Sequence, residues 1–137
     1  MKKIVAIIAS IAIVVVIGLA LLFIPTKKIN IKAASSGIDR IYIFSGTTGE
    51  GVNVTDASEI EKIVNNIKEK EYKLRFNGWK SGYIYRLTFY EKDKEIYSCI
   101  MNSNEYILKP PFAFVDKDKG LCFDYLGELM EKYKGHK

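Results

Sequence analysis

The hydrophobic pattern along the chain changes character three times. From Ile4 to Ile24 it is continuous: 21 residues with no charge, no Asn, Gln or Pro, and Ser10 as the only polar side chain. Fifteen of them are Ile, Val, Leu or Phe. At about 1.5 Å rise per residue, a helix of this length spans roughly the hydrocarbon thickness of a bilayer. β-Branched residues lower helix propensity in water, but in lipid only a helix satisfies a single segment's backbone. The run therefore predicts a transmembrane helix over 4–24, with Lys2 and Lys3 on one flank and Pro25, Lys27 and Lys28 on the other.

After the run the period shortens to two. Ile29 and Ile31 alternate with polar residues and predict a short first strand. Ile38 to Ser45 predicts a second, Val52 to Thr55 a third, with the loop Gly46 to Gly51 between them. The period then lengthens. Ile60, Ile63, Val64 and Ile67 fall at i, i+3, i+4 and i+7, a stripe on one face of a helix over about 57–70. Asp56 is the expected N-cap, with Glu59 as the partner of a capping box.

Alternation returns from Tyr72 to Phe76 and again from Tyr83 to Lys92. There Tyr83, Tyr85, Leu87 and Phe89 share one face, and Ile84, Arg86, Thr88 and Tyr90 the other. Asp93-Lys94 is the expected hairpin turn into a strand over Glu95 to Met101. Shorter strands follow at 105–108, 112–115 and 121–123. Pro110-Pro111, which cannot donate to a ladder, marks a break or an edge. Leu126, Leu129, Met130 and Tyr133 predict a closing helix over 124–134. Sequential strands joined by short turns imply antiparallel pairing, and one sheet face must carry the helices. The expected fold is thus α+β: a transmembrane helix, then a two-layer domain with a mainly antiparallel sheet in the order β-β-β-α-meander-α. The parts are a tail at 1–3, the helix at 4–24, a juxtamembrane segment and first strand at 25–36, and the domain at 37–137.

Charge and processing signals bear on location. A cleaved signal peptide has a shorter apolar core and a small-x-small site just after it. Ala33, Ala34 and Ser35 lie far from the run, with Lys32 among them, and no Cys follows the run for lipid attachment. An uncleaved signal-anchor is expected. Positive charge flanks the run on both sides and does not orient it. The short leading tail is the usual layout of an exported protein, which places the N-terminus in the cytoplasm and the domain outside. Residues 25–137 carry a net charge of +3, interspersed rather than concentrated. This argues against nucleic acid as a partner and suits a place beside anionic lipids or cell-wall polymers.

The motifs Val54-Thr-Asp56-x-x-x-Ile60-x-x-Ile63 and Gly78-Trp79-x-x-Gly82-Tyr83-x-Tyr85-x-Leu87-x-Phe89-Tyr90-x-Lys92-Asp93 carry a resemblance, with the closing Phe123-Asp124-Tyr125-Leu126-x-x-Leu129. Together they resemble a class of small uncharacterised extracytoplasmic proteins of Gram-positive bacteria, many of them Clostridia, which are lipoproteins or membrane-anchored. The resemblance covers most of 29–133 and implies location without attaching an activity. This chain departs from the lipoproteins in lacking the lipid-modified Cys.

Catalytic and metal signatures are mostly missing. The Gly46–Gly51 loop has phosphate-loop spacing, but Val52-Asn53 stands where Gly-Lys-Ser/Thr would follow, so it reads as a hairpin loop. Asp116-x-Asp118-x-Gly120 opens like a calcium loop, yet Leu121 and Gly127 occupy the required Gly and Glu positions. His136 is the only His, which removes His-based triads, and two Cys with one His are too few for a zinc site. No cofactor or metal is expected. Cys99 and Cys122 admit two readings, a disulfide outside the cell or a pair of buried thiols.

One candidate surface remains. Trp79 sits in a Gly-bounded loop, and Arg86 and Tyr90 lie on the strand face opposite the expected core; these types are enriched in binding hot spots. The alternative packs Trp79 over the core edge and Tyr90 against a neighbouring strand. The leading expectation is a binding or regulatory module that touches lipid through 4–24 and an envelope protein or cell-wall ligand through its domain. An envelope-polymer enzyme with an unrecognised carboxylate site, or a structural subunit of a membrane complex, are the alternatives.

Overall fold

In the computed structural model, residues 1–23, 29, 37–78 and 82–135 are described. The apolar run forms α1 (Lys2–Phe23), 22 residues with no charged side chain between Lys3 and its end. Ser10 Oγ donates to the Ala6 carbonyl at 2.9 Å, so its hydroxyl is satisfied inside the helix. None of the apolar span from Lys2 to Ala20 is buried by the rest of the chain. By length and composition it is a helix able to cross a membrane.

Helix α2 (Ala57–Glu69) begins where Asp56, in extended conformation, accepts the Ser58 and Glu59 N–H groups, each at 3.0 Å. The cap is as expected; the reciprocal half of the capping box is not. The Glu59 side chain turns away from Asp56 and accepts from Lys132 Nζ and the Tyr133 hydroxyl instead. The tertiary partners offer a charge-assisted bond that one backbone N–H does not match. The stripe Ile60, Ile63, Val64 and Ile67 is buried as its spacing requires. The closing helix, α3 (Phe123–Lys134), buries Leu126, Leu129 and Met130.

Among the described residues, seven strands make one antiparallel sheet: β1 (Arg40–Ser45), β2 (Gly51–Val54), β3 (Tyr72–Phe76), β4 (Tyr85–Glu91), β5 (Lys94–Met101), β6 (Tyr106–Lys109) and β7 (Phe112–Asp116). Their spatial order is β2-β1-β4-β5-β6-β7-β3. Cross-strand rows follow from the register. Val54, Ile41, Phe89 and Tyr97 form one; Val52, Ile43, Leu87 and Cys99 form the next. These rows and the stripes of α2 and α3 form a single buried cluster. Each large side chain buried there stabilises by about 1.5–3 kcal/mol relative to exposure. Ile29 belongs to the same cluster, at 6% exposure.

Four sequence expectations shift. Ile29 is buried but not in a strand, and its alternation partner Ile31 lies outside the described residues. Leu121–Phe123 is not a strand, because Leu121 packs in the core as the chain turns into α3. The β4–β5 turn is Lys92-Asp93, one residue earlier than expected, with φ of 49° and 62°, the paired left-handed geometry a two-residue hairpin favours. A β-bulge between Phe89 and Tyr90 accounts for the slip in register. Strand β4 starts at Tyr85, two residues later than the alternation suggested.

Candidate functional site

Alternation along β1 and β4 sends Arg40, Tyr42 and Phe44, and Arg86, Thr88 and Tyr90, to the sheet face opposite the core. The register sets Arg40 across from Tyr90 and Phe44 across from Arg86. The Arg40 guanidinium lies 3.9 Å from the centroid of the Tyr90 ring. The Arg86 guanidinium lies 4.3 Å from that of Tyr83. Phe44 packs against Tyr83 at 6.1 Å and Tyr42 at 6.4 Å, so the rings form a connected row. Farther along the face, Arg75 stands 5.6 Å over Tyr106. Arg86 and Arg75 are exposed; Arg40, Tyr42, Phe44, Tyr83, Tyr90 and Tyr106 are half-buried.

Two local features hold the row in place. Gly51, on β2 beside Phe44, has no side chain, and a Cβ there would stand 2.0 Å from the Tyr42 hydroxyl. The Tyr42 ring thus lies across β2 in space that any other residue would fill. Arg40 is steadied by the Asn53 amide oxygen at 3.2 Å and by Asp93 at 3.5 Å. A guanidinium stacked on a ring keeps its charge while presenting a planar apolar surface.

Of the expected surface residues, Arg86 and Tyr90 do share this face. Trp79 lies outside the described residues. Tyr90 packs under Arg40 of the neighbouring strand. Tyr83, assigned by alternation to the core face, joins Arg86 and Phe44 on the other; it precedes β4, and Gly82 at φ 135° turns the chain ahead of it. Arg40, Tyr42 and Phe44 were visible only as the polar-side positions of a strand. What assembles them with Arg86 is the β1–β4 register, which has no local signal.

Other candidate chemistries resolve into structure. The loop from Gly46 to Gly51 is the β1–β2 hairpin, closed by Ser45 N–H donating to the Glu50 carbonyl at 2.8 Å. The Asp116 carboxylate, 2% exposed, accepts the N–H groups of Asp118 at 3.2 Å and Gly120 at 2.8 Å and faces Lys70 Nζ at 3.6 Å. That carboxylate closes a turn. Asn66 locks the same turn to α2: its amide donates to the Gly120 carbonyl at 3.0 Å and accepts the Cys122 N–H at 2.9 Å. Among the described residues no group of three or more His, Cys, Asp or Glu is placed to hold a metal ion.

Cys99 and Cys122 are both buried and unbonded in this structure, within the one core cluster. Burial pushes the Cys99 thiol up to about 12, with a smaller push from the neighbouring Cys122. Burial likewise pushes Cys122 up to about 11. Thiols so shifted carry negligible thiolate at neutral pH and are poor nucleophiles. No protein-family model, curated protein or solved structure matches the chain.

Proposed function

We propose that the chain is a single-pass membrane protein, N-terminus in the cytoplasm, whose α+β domain works outside as a binding module at the cell envelope. The observation that carries this reading is the surface of α1. Ile8, Val14 and Val16 are 62%, 69% and 64% exposed, and none of the span from Lys2 to Ala20 is buried by the domain. A helix apolar on every side is satisfied by lipid.

Within the domain, the face bearing Arg40, Tyr83, Arg86 and Tyr90 is the recognition surface in this reading. Its stacked cations suit an anionic envelope component, to which they offer charge and flat apolar area together. The test is fractionation followed by capture. The full-length protein should resist alkaline extraction from membranes, and protease should reach its domain only from outside. Capture from mild-detergent membranes should recover a component that the Arg86→Ala/Tyr90→Ala variant loses. A mature form free in the medium and starting beyond residue 24 overturns the anchor; identical capture by both forms overturns the surface.

A further inference from the structure

Resting on the membrane reading above, we propose that the corner of the sheet formed by the end of β3 and the β6–β7 turn seats in the anionic headgroup layer of the bilayer that α1 crosses. Leu74, Phe76 and Phe112 fall on the sheet face that elsewhere forms the core, yet they are 37%, 69% and 40% exposed. The row that begins in the core with Tyr85, Met101, Ile107 and Phe114 ends in the open at Leu74. Phe76 and Phe112 meet edge to face, 6.2 Å between centroids, and beside them the Asn77 N–H donates to the Pro111 carbonyl at 2.9 Å. The corner is therefore a formed structure with two phenyl rings in water.

Its charge fits one occupant. Residues 72–78 and 106–115 contain Lys73, Arg75 and Lys109 and no Asp or Glu. Lys109 pairs with Phe112 on the face of the rings and also lies over Tyr97, while Lys73 and Arg75 alternate with Leu74 and Phe76 and line the other face of the same edge strand. Exposed aromatics with cations on both faces of one edge match the interfacial layer, where rings sit at headgroup level and cations meet lipid phosphates. A second copy is a poorer match. Antiparallel pairing of β3 about Leu74 would set Lys73 directly against Arg75, a destabilising like-charge pair.

The connection to α1 brings the corner within reach. Five residues, six steps along the chain, separate the end of α1 at Phe23 from Ile29, which is buried in the domain core. At no more than about 3.6 Å per residue, Ile29 is held within roughly 22 Å of the helix end. The chain enters the sheet at Asp39, whose N–H donates to the Tyr90 carbonyl and whose carboxylate accepts the Lys92 N–H beside the β4–β5 turn. The antiparallel register points the β6–β7 turn the same way as that turn. β7 stands four strand spacings from β1, roughly 19 Å at about 4.8 Å each. The end of the sheet where β1 begins and the aromatic corner thus face one direction.

The test uses the full-length protein, one copy per nanodisc, in discs with phosphatidylglycerol and in discs of phosphatidylcholine alone. A Phe112→Trp substitution in a Trp79→Phe background gives a single indole at the corner. Bromines placed near the lipid glycerol should quench it, more strongly in anionic discs, and Arg75→Glu/Lys109→Glu should return it to the level of a water-exposed indole. On the unsubstituted protein, headgroup photo-crosslinking lipids should label 72–78 and 106–115. Disc-bound protein with an unquenched indole and no lipid crosslinks at the corner overturns the proposal, and is also what a protein partner or second copy would give. Quenching indifferent to lipid charge overturns the anionic assignment. Protein that elutes without discs defeats the anchor, and this proposal with it.

Discussion

Glu59 on α2 and Tyr133 on α3, 74 positions apart in sequence, meet at 2.6 Å, the phenol donating to the carboxylate. Lys132 donates to the other oxygen of the same group, so one largely buried carboxylate joins the two helices over the sheet. Tyr133→Phe should cost about 1 kcal/mol, the net worth of an intramolecular hydrogen bond. Glu59→Ala, which frees both donors, should cost more. Urea unfolding of the single and double variants checks this: additive losses would mean that the two residues do not interact. The carboxylate raises the Lys132 ammonium and the Tyr133 phenol, each through its hydrogen bond first. Raised values mean stability present below the ordinary pKa and lost as pH climbs through the folded one. The domain should therefore weaken above pH about 10, where free phenols and ammoniums titrate, and Tyr133→Phe should lessen that loss.

Acid should act at the N-cap of α2, three residues before Glu59. The Ser58 hydroxyl, then the Glu59 N–H, hold the Asp56 carboxyl below its ordinary value of 3.8. A depressed carboxyl stabilises the fold above its unfolded pKa and loses that contribution as pH falls through the folded value. Thermal unfolding followed from pH about 5 down to about 2 should show a loss that Asp56→Asn reduces. Equal slopes for both proteins would remove the cap from the account.

The two thiols should be silent in the native state. Cys99 is 3% exposed and Cys122 9%. A colorimetric thiol reagent at neutral pH should react with neither until denaturant is added, and then with both. Two equivalents released only after reduction would place a disulfide between them in the mature protein.

Core and corner should part company under substitution. Leu126 is fully buried, and Leu126→Ala should cost about 2–5 kcal/mol through lost contacts and the cavity left behind. Phe76 is 69% exposed, and Phe76→Ser should change stability by no more than about 0.5 kcal/mol. Chemical denaturation of the full-length protein in detergent separates these outcomes. A large loss at Phe76 would mean that the ring belongs to the core.

Much of the local structure was legible in residue order. The unbroken apolar run became α1, the stripe Ile60-Ile63-Val64-Ile67 became the buried side of α2, and Tyr72–Phe76 became β3 at the expected bounds. Leu87 and Phe89 went inward, and Arg86 and Tyr90 outward, as alternation required. These features repeat at short period, so a few neighbouring side chains determine them.

Long-range partners were not legible. Nothing near Tyr72–Phe76 says that β3 crosses to the far edge beside β7, or that its Leu74 and Phe76 would run past the helices into the open. Tyr83 changed faces because the chain turns at Gly82 before β4 begins, and Glu59 left its own cap for two donors on α3. Sequence by itself determined the three helices and most of the strands, since periodicity is a property of neighbours. Tertiary structure alone decided which cation stacks on which ring and which apolar side chains stay uncovered, since those depend on strand order and register, and register pairs residues tens of positions apart.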